Sequence, residues 1–427
     1  MLNLKPKYIP RFRRFTTRSR IGEIRVTQAS FMIALMMLNK TKCSNRTRCL
    51  VGICRSILER SIILDMAVVP NVQVAIIGAP DGRLVVSSEA AVPQLVGDMI
   101  LIRTKAISIN PVDTKMIGPY VTPGAISGCD FAGEVIAVGP ESGTKDVHLG
   151  DRVCGAIMGM NPLKPSTGAF ATYVGISSSN ILRIPPGMSF EEAAAIGTSF
   201  MTTGLALFHS LGLPGTPDKP LQSSQKLTPV LISGGPSASG TAAIQLLRLA
   251  GYSPIVTSSP KNFDLVKSYG AAAVFDYSSP DCAKEIRSYT KNNLRYALDC
   301  VTTVESMKLC YAAIGRTGGA YTGLDPFPEV VAATRKVIRA DWVLGPTMLG
   351  EVIAWPEPHY RGVDEEIRKF GLQWRGIVED LFAQGRLRVH PVSVQPNGFH
   401  GALDGLERIR KGLVRGVKLV YPIDSSM

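Results

Sequence analysis

The stretch Pro229-Val-Leu-Ile-Ser-Gly-Gly-Pro-Ser-Ala-Ser-Gly-Thr-Ala-Ala-Ile-Gln-Leu-Leu-Arg-Leu-Ala-Gly251, continued by Tyr252-Ser-Pro-Ile-Val-Thr-Ser-Ser-Pro-Lys261, decides the fold. Val230 to Ser233 is a short β-branched and apolar run, and a glycine-rich turn follows it. Ala243, Leu246, Leu247 and Leu249–Ala250 then fall at helical spacing, and Pro254 to Thr257 reads as a second strand. Strand, turn, helix and strand in this length make a βαβ crossover.

Such a turn lets backbone N–H groups and a helix N-terminus approach a pyrophosphate. Gly234, Gly235 and Gly240 are present, but Pro236, Ser237, Ala238 and Ser239 fill the middle, so a strict G-x-G-x-x-G is absent. An ordinary β–α turn that binds nothing has the same glycines. The end of the second strand carries Ser258, Ser259, Lys261 and Asn262, with no acid before Asp264. A site for NAD places Asp or Glu there to accept from the ribose 2′-hydroxyl, and hydroxyls with one lysine suit a 2′-phosphate instead. The reading is NADP(H), against a solvated loop with an incidental lysine.

At 427 residues, 45% apolar and 19% charged, the chain has room for two domains with full cores. Its net charge of +13 is unevenly placed. Residues 1–65 hold fourteen Lys and Arg against three Asp and Glu, which is +11 of the total and leaves +2 for the rest. That leader resembles a mitochondrial presequence, an unfolded tail, or upstream sequence read in by a wrong start, Met66 opening the folded part. The last two readings are preferred. Basicity confined to a leader, with no zinc-finger spacing or basic–aromatic interleaving, argues against nucleic acid as a partner. The longest apolar run near the start, Phe31 to Leu38, is too short to span a membrane. Eight scattered cysteines without a C-x₂-C pair signal neither a zinc lobe nor a disulfide framework, which fits a reduced, cytoplasmic setting.

From Met66 the pattern is one of short strands, Val72–Ile77, Leu84–Ser87 and Met99–Ile109, with turns at Asp81-Gly82 and Gly97-Asp98. Glycine-punctuated alternation continues to Val153 and predicts a small, strongly curved β-barrel. Ser189 before Glu191-Glu192 starts a helix, and Met201–Leu211 continues as one. Leu213–Leu227 reads as an exposed loop. Beyond the opening unit, strands at Ala273–Phe275, Tyr296–Cys300 and Ala320–Thr322 alternate with helices at Phe263–Tyr269, Asp281–Lys291 and Val304–Ile314. Alternation of this kind predicts a doubly wound parallel sheet with its ligand beyond the strands' carboxyl ends. Gly401–Gly412 is a last helix and Val417–Tyr421 a last strand returning to the barrel.

Four separate motifs carry a resemblance over residues 66–427: Asn110-Pro-x-Asp113, Gly128-x-Asp-x-x-Gly133-x-Val135, Gly150-Asp-Arg-Val153 and Ala243-Ile-Gln-Leu246. Together they resemble the medium-chain dehydrogenase/reductase superfamily. The resemblance implies an α/β fold with a GroES-like barrel over 66–200, completed by about 376–427, and a Rossmann-type domain over 201–375. The zinc branch is excluded, since its cysteine cluster and Gly-His-Glu motif are missing and His148, His209, His359, His390 and His400 lie outside any ligand spacing. Ser259-Pro-Lys-Asn-Phe-Asp264, Tyr289 to Cys300, Leu324-Asp-Pro-Phe-Pro328 and Asp341 to Thr347 are similar to the fungal trans-acting enoyl reductases that serve polyketide synthases.

By position, that resemblance implies NADPH held by Val112, Asp113, Thr114 and Lys115, by Pro236, Ser237, Ala238 and Ser239, and by Ser259, Pro260, Lys261 and Asn262. Tyr277, Leu324, Asp325, Val414 and Arg415 complete the cofactor set. Substrate is implied along Thr202, Thr203, Gly204, Leu205, Ala206, Leu207, Phe208 and His209, and along Leu344, Gly345, Pro346, Thr347 and Met348. Two positions depart from the pattern: Asp325 stands in place of asparagine, and Gly416-Val417-Lys418 replaces a Gly-Lys ending. Hydride transfer to the β-carbon of an unsaturated thioester leaves an enolate that needs donors at its oxygen. Lys115 is the charged candidate for that catalytic role, although a surface lysine after a turn reads the same. The implied partner is a polyketide synthase, or a synthase–peptide synthetase hybrid, served by a monomer. A quinone or small-enone reductase and a cofactor-binding scaffold without turnover are the alternatives.

Overall fold

The computed structural model describes residues 69–141, 147–222 and 227–424. The leader of residues 1–65, read above as unfolded or spurious, lies outside them. Two large sheets and a separate hairpin organise the described chain. The hairpin pairs β1 (Val72–Gly78) with β2 (Leu84–Ala91), turned at Asp81-Gly82 as the sequence predicts, with Gly82 at φ +77°. Beside it, β3 (Met99–Ser108) is the hub of a seven-stranded sheet with β4 (Asp130–Val138), β5 (Arg152–Ala156), β6 (Tyr173–Ser177) and β7 (Ile181–Arg183). Every pairing among these strands is antiparallel. Ile100, Ile102, Phe131, Val135, Val153 and Val174 fill its interior. At Gly133 a Cβ would meet Ile102, which is why the strands curve together there.

The second sheet is parallel and six-stranded. Its strands are β8 (Pro229–Ser233), β9 (Ser253–Ser258), β10 (Ala273–Asp276), β11 (Tyr296–Asp299), β12 (Gly319–Gly323) and β13 (Ile338–Trp342), in the order β10-β9-β8-β11-β12-β13. The chain runs outward from β8 to β10, then returns to β11 on the other side. The switch point therefore lies between β8 and β11, where Ser233 pairs with both Thr257 and Asp299. A ligand crevice at the carboxyl ends follows from that order. β13 carries Arg339 and Asp341 among its five residues and forms the edge, so it has no apolar run to announce it.

The predicted helices fall within two or three residues of the observed ones at Phe263–Ser268, Cys282–Tyr289 and Val304–Ala313. Ser189 closes a capping box with Glu192, as its position before two acids suggests. The run from Gly197 to Gly204 is α-helical, and Leu205–Ser210 continues it as a π-turn. The Leu213–Leu227 segment has no regular element among its described residues, yet Leu213 is buried in the main core rather than exposed. A nineteen-residue helix, Glu365–Ala383, bridges the two sheets' layers through buried Trp374, Val378, Leu381 and Phe382. Finally β15 (Lys418–Pro422) pairs antiparallel with β3 and parallel with β14 (Val392–Val394), which returns the chain's end to the first sheet.

Candidate functional site

A cleft of about 710 Å³ opens between the carboxyl ends of the parallel strands and the curved sheet. One wall is the glycine turn. Gly234 takes φ +80°, a conformation that L side chains avoid, and a Cβ on Gly235 would run into Val256. At Gly240 a Cβ would meet the Gly234 and Gly235 carbonyl oxygens at 2.5 Å. The glycines are therefore fixed by close packing, and the hydroxyl-rich middle does a separate job. Ser237 caps the helix Ala238–Leu249: its oxygen accepts from the Gly240 N–H at 3.0 Å, and its hydroxyl donates to the Gly234 carbonyl at 2.8 Å. The cap leaves the first-turn N–H groups of Ala238 and Ser239 facing a cleft that both residues line.

The next wall is the loop after β9. Ser259 and Asn262 line the cleft, with the Asn262 amide donating to the Ser259 hydroxyl at 3.3 Å. Pro260 and Lys261 sit between them, exposed, outside the lining itself. Tyr277 stands at the rim, and the turn Val414–Gly416 reaches across from the chain's end. Gly416, at φ +70°, packs so close to Asn262 that a Cβ would lie 3.3 Å from its Oδ1. Arg415 is thereby carried to the same side as Lys261. No carboxylate occupies this corner of the cleft lining.

The far wall comes from the loop after β3. Val112 and Lys115 line the cleft, whereas Asp113 and Thr114 do not. Asp113 turns inward: it is 1% exposed and accepts from the Asn110 backbone N–H at 2.7 Å. Burial pushes its carboxyl up to about 7, against the pull of Asn110 and the Cys129 thiol. The Thr114 carbonyl is held by the Arg410 guanidinium at 3.0 Å, which fastens this turn to the helix Gly398–Arg410. Beneath them Asp130 and Lys418 form a buried ion pair at 2.8 Å. Asp130 also accepts from the Asn110 amide and from both the N–H and hydroxyl of Thr198.

Lys115 itself is ion-paired with Asp325, which follows β12. His359 approaches the other oxygen of that carboxylate, Nε2 to Oδ1 3.3 Å, and its Nδ1 stands 2.9 Å from the Tyr120 hydroxyl. Burial pushes the Asp325 carboxyl up, but His359 and Lys115 together outweigh it and hold the group below the usual carboxylate range. Tyr120 and His359 line the cleft and were not singled out by any motif. A lone tyrosine and a lone histidine, 239 residues apart, leave no spacing to read. Arg375, which burial lowers to about 10, also lines the cleft from the bridging helix.

Of the implied substrate residues, Thr202, Leu344, Gly345, Pro346 and Met348 line the cleft. Thr203 does not; it is fully buried, and its hydroxyl donates to the Ser239 carbonyl at 3.3 Å. Gly204 lies against the Trp374 ring, and Leu205, Ala206 and Leu207 belong to the core. Phe208 and His209 face Trp374 and Phe370, with ring centroids 5.1 and 5.5 Å apart. The π-turn rotates this whole stretch away from the cleft. Thr347 is buried and donates to the Leu344 carbonyl at 2.7 Å.

Two family models match the chain: an alcohol dehydrogenase GroES-like domain over residues 97–186 and a zinc-binding dehydrogenase over residues 238–338. The trans-enoyl reductase fsa3 of Fusarium sp. (strain FN080326) is 56% identical over 351 residues, covering 82% of this chain and 99% of that one. This chain belongs to the fungal trans-enoyl reductases, within the medium-chain dehydrogenase/reductase superfamily. The trans-enoyl reductases eqxC of Fusarium heterosporum and cghC of Chaetomium globosum are 55% and 47% identical, covering 82% and 83% of this chain and 99% and 100% of their own. Solved structures share the fold: the CurK enoyl reductase (20% identity, TM-score 0.62, 83% of this chain and 99% of that one) and a quinone oxidoreductase from Coxiella burnetii (24%, 0.58, 82% and 99%).

A trans-enoyl reductase of fungal polyketide and hybrid secondary metabolism is an oxidoreductase acting on a carbon–carbon double bond, and it uses a nicotinamide cofactor. The residues fit that group. A cradle closed to any Cβ, a helix N-terminus at the cleft and a corner without carboxylates are what a dinucleotide's phosphates need. Among the described residues no group of three or more His, Cys, Asp or Glu is arranged to hold a metal ion, and no helix is long and apolar enough to cross a membrane.

Proposed function

We propose that this trans-enoyl reductase takes NADPH and reduces an α,β-unsaturated acyl thioester presented by the carrier protein of a polyketide synthase, or of a synthase–peptide synthetase hybrid, in the cytoplasm. The observation that carries the reading is what lines the cleft. Its lining brings together the glycine turn with the helix start at Ala238 and a set of apolar side chains, Met201, Leu344, Met348 and Leu349. An acyl chain needs the apolar side chains, and a thioester carbonyl needs polar groups beside them.

When bound, the nicotinamide cofactor would supply hydride for the substrate's β-carbon. Everything else falls to this chain's residues. Ala238 and Ser239 would offer amides to the pyrophosphate, and Ser259, Asn262 and Arg415 in the lining, with Lys261 exposed beside them, would offer hydroxyl, amide and positive charge to a 2′-phosphate. Lys115 is tied to Asp325, so it acts as a fixed dipole at the cleft wall rather than as a free cation. Thr202 has its hydroxyl in the space that glycine at 345 leaves, within the cleft, where it can donate to a thioester oxygen as charge builds.

NADPH oxidation by the full-length enzyme, with a crotonyl pantetheine thioester and with benzoquinone in parallel, tests the reading. Turnover of the thioester well above that of the quinone is expected, with tighter binding of NADPH than of NADH. Faster quinone turnover, or consumption of neither, overturns it. Addition to the partner synthase then has to convert an unsaturated intermediate into its saturated counterpart.

A further inference from the structure

Away from the glycine turn, a buried cation meets the cleft with no anion beside it. Arg375 sits midway along the bridging helix, is 5% exposed and lines the cleft. Its Nη1 donates to the Ser179 carbonyl at 2.6 Å, and among the described residues the guanidinium has no other hydrogen-bond partner. No carboxylate of those residues lies within ion-pair distance of it. Glu379, one turn further along the helix, accepts instead from the Arg183 N–H at 2.8 Å and from the Arg183 guanidinium at 3.3 Å. Burial lowers Arg375 to about 10, so it stays charged at neutral pH. Asn180, next to the residue that anchors the guanidinium, also lines the cleft. It is 8% exposed, and its side-chain amide has no hydrogen-bond partner among the described residues.

A guanidinium has five N–H donors, and the fold accounts for one of them here. Enclosing a charge with most of its donors unused is costly unless something else accepts them. The neighbours of Arg375 say which part of a bound chain that would be. Gly371 lies one helical turn before it on the same face, and a Cβ there would meet Met348 at 2.6 Å. Thr202 meets the other end of the segment that holds Met348, since a Cβ on Gly345 would run into its hydroxyl. The guanidinium therefore stands on the Met348 side and the Thr202 hydroxyl on the Gly345 side. An acyl chain with its thioester oxygen at Thr202 sends its remote carbons toward Arg375.

We propose that Arg375 and Asn180 bind an oxygen acceptor, a keto carbonyl or a carboxylate, carried by the acyl chain beyond its double bond, and so select oxygenated chains over hydrocarbon ones; this rests on the enoyl-reductase reading above for the chain that occupies the cleft. The planar guanidinium offers two parallel N–H groups to a carboxylate or one to a ketone, and the Asn180 amide adds a donor. A hydrocarbon end leaves the same donors unpaired. The discrimination is one-sided for that reason, because a site built to hydrogen-bond an oxygen rejects the analogue that lacks it. Both residues act on which chain is held, and neither touches the reacting carbons.

The test uses the full-length enzyme, NADPH and enoyl pantetheine thioesters of matched length, hexenoyl to decenoyl, ending in a methyl group, a methyl ketone or a carboxylate. At the favoured length, wild type is expected to show a kcat/KM for the ketone or the carboxylate about 10- to 100-fold above that for the hydrocarbon chain, expressed in KM rather than kcat. Arg375→Met should bring that ratio close to one. Arg375→Lys should keep part of it, more for the carboxylate than for the ketone. Because Arg375→Met also frees the Ser179 carbonyl, Asn180→Leu is the second variant, and it should lower the ratio with a melting temperature near wild type. Binding of the corresponding saturated thioesters without cofactor, followed by tryptophan fluorescence, reads the same preference without turnover. The proposal is overturned if wild type treats the three chain ends alike, or if Arg375→Met keeps the wild-type ratio. Should Arg375→Met fail to fold, an unchanged ratio in Asn180→Leu overturns it instead. If oxygenated saturated chains bind more tightly through Arg375 but no enoyl thioester oxidises NADPH, the enoyl-reductase reading fails while the acyl-oxygen site stands.

Discussion

Lys418 and Lys115 both line the cleft, and their pairs with Asp130 and Asp325 put the same chemistry in opposite surroundings. Lys418–Asp130 is closed to water, at 3% and 0% side-chain exposure, whereas Lys115–Asp325 stands at 45% and 33%. Asp130 collects further hydrogen bonds from Asn110 and Thr198, so the buried pair locks β15, β4, the loop after β3 and the helix at Gly197 to one another. The exposed pair joins two loops and lines the cleft. Burial makes an ion pair costly to break and useless for adjustment; partial exposure makes it cheap to break and easy to tune.

The largest expected effect belongs to the buried pair. Lys418→Met leaves the Asp130 carboxylate enclosed without its cation and should cost about 3–5 kcal/mol of unfolding free energy, against less than about 1 kcal/mol for Lys115→Met. Denaturant titrations of the two variants measure the contrast, and equal losses would erase the distinction drawn between the pairs.

Asp113 sharpens the same contrast through pH. Its carboxyl, pushed up to about 7 by burial and by Asp130, keeps its proton in the native state where the unfolded chain, with a carboxyl near 4, has lost it. The native state thus binds more protons between about pH 4 and pH 7, and stability from this group is present below that window and lost as pH rises through it. Asp113→Asn should flatten the slope of stability against pH across the window, read from melting temperatures; a slope unchanged by the substitution would mean that Asp113 does not carry it.

At the exposed pair, Lys115→Met should leave the melting temperature near wild type and reduce kcat/KM by roughly 10- to 100-fold, the cost of a loosened cleft wall. An unchanged kcat/KM with an acyl thioester would remove Lys115 from the site. The smallest effect is at the other end of the groove. Lys261→Ala should weaken NADPH binding about tenfold and leave NADH binding unaltered, the value of one charge-assisted contact to the 2′-phosphate. Equal weakening of both coenzymes would assign Lys261 to general affinity.

The glycine turn was legible because its reasons are local. Gly235 and Gly240 press first on Val256 and on the Gly234 and Gly235 carbonyls of the same βαβ unit, Gly234 has the positive φ of a turn, and Ser237 caps the helix that it begins. The stretch Thr203–His209 misled for an equally physical reason. Helical periodicity continues through it, but the π-turn and the Trp374 ring against Gly204 rotate its side chains into the core. Tyr120 and His359 were invisible since each is single in its surroundings and only their meeting has meaning. The bridging helix Glu365–Ala383 starts with Asp364 accepting from the Glu366 and Ile367 N–H groups, a cap that the sequence does display.

By itself the sequence determined the order of strands and helices, the glycine turn, the lack of an acid between Ser258 and Asp264, and the family. Those features depend on residues close together along the chain, where propensity, capping and glycine sterics act directly. Which lysine is sealed and which is half exposed, that Asp113 turns inward while Lys115 faces the cleft, and that His359 comes to Tyr120 were decided only when β15 closed onto β3 and the loops met. Solvent exposure and partners across 200 or more residues set those outcomes, and neither quantity exists before the chain has folded.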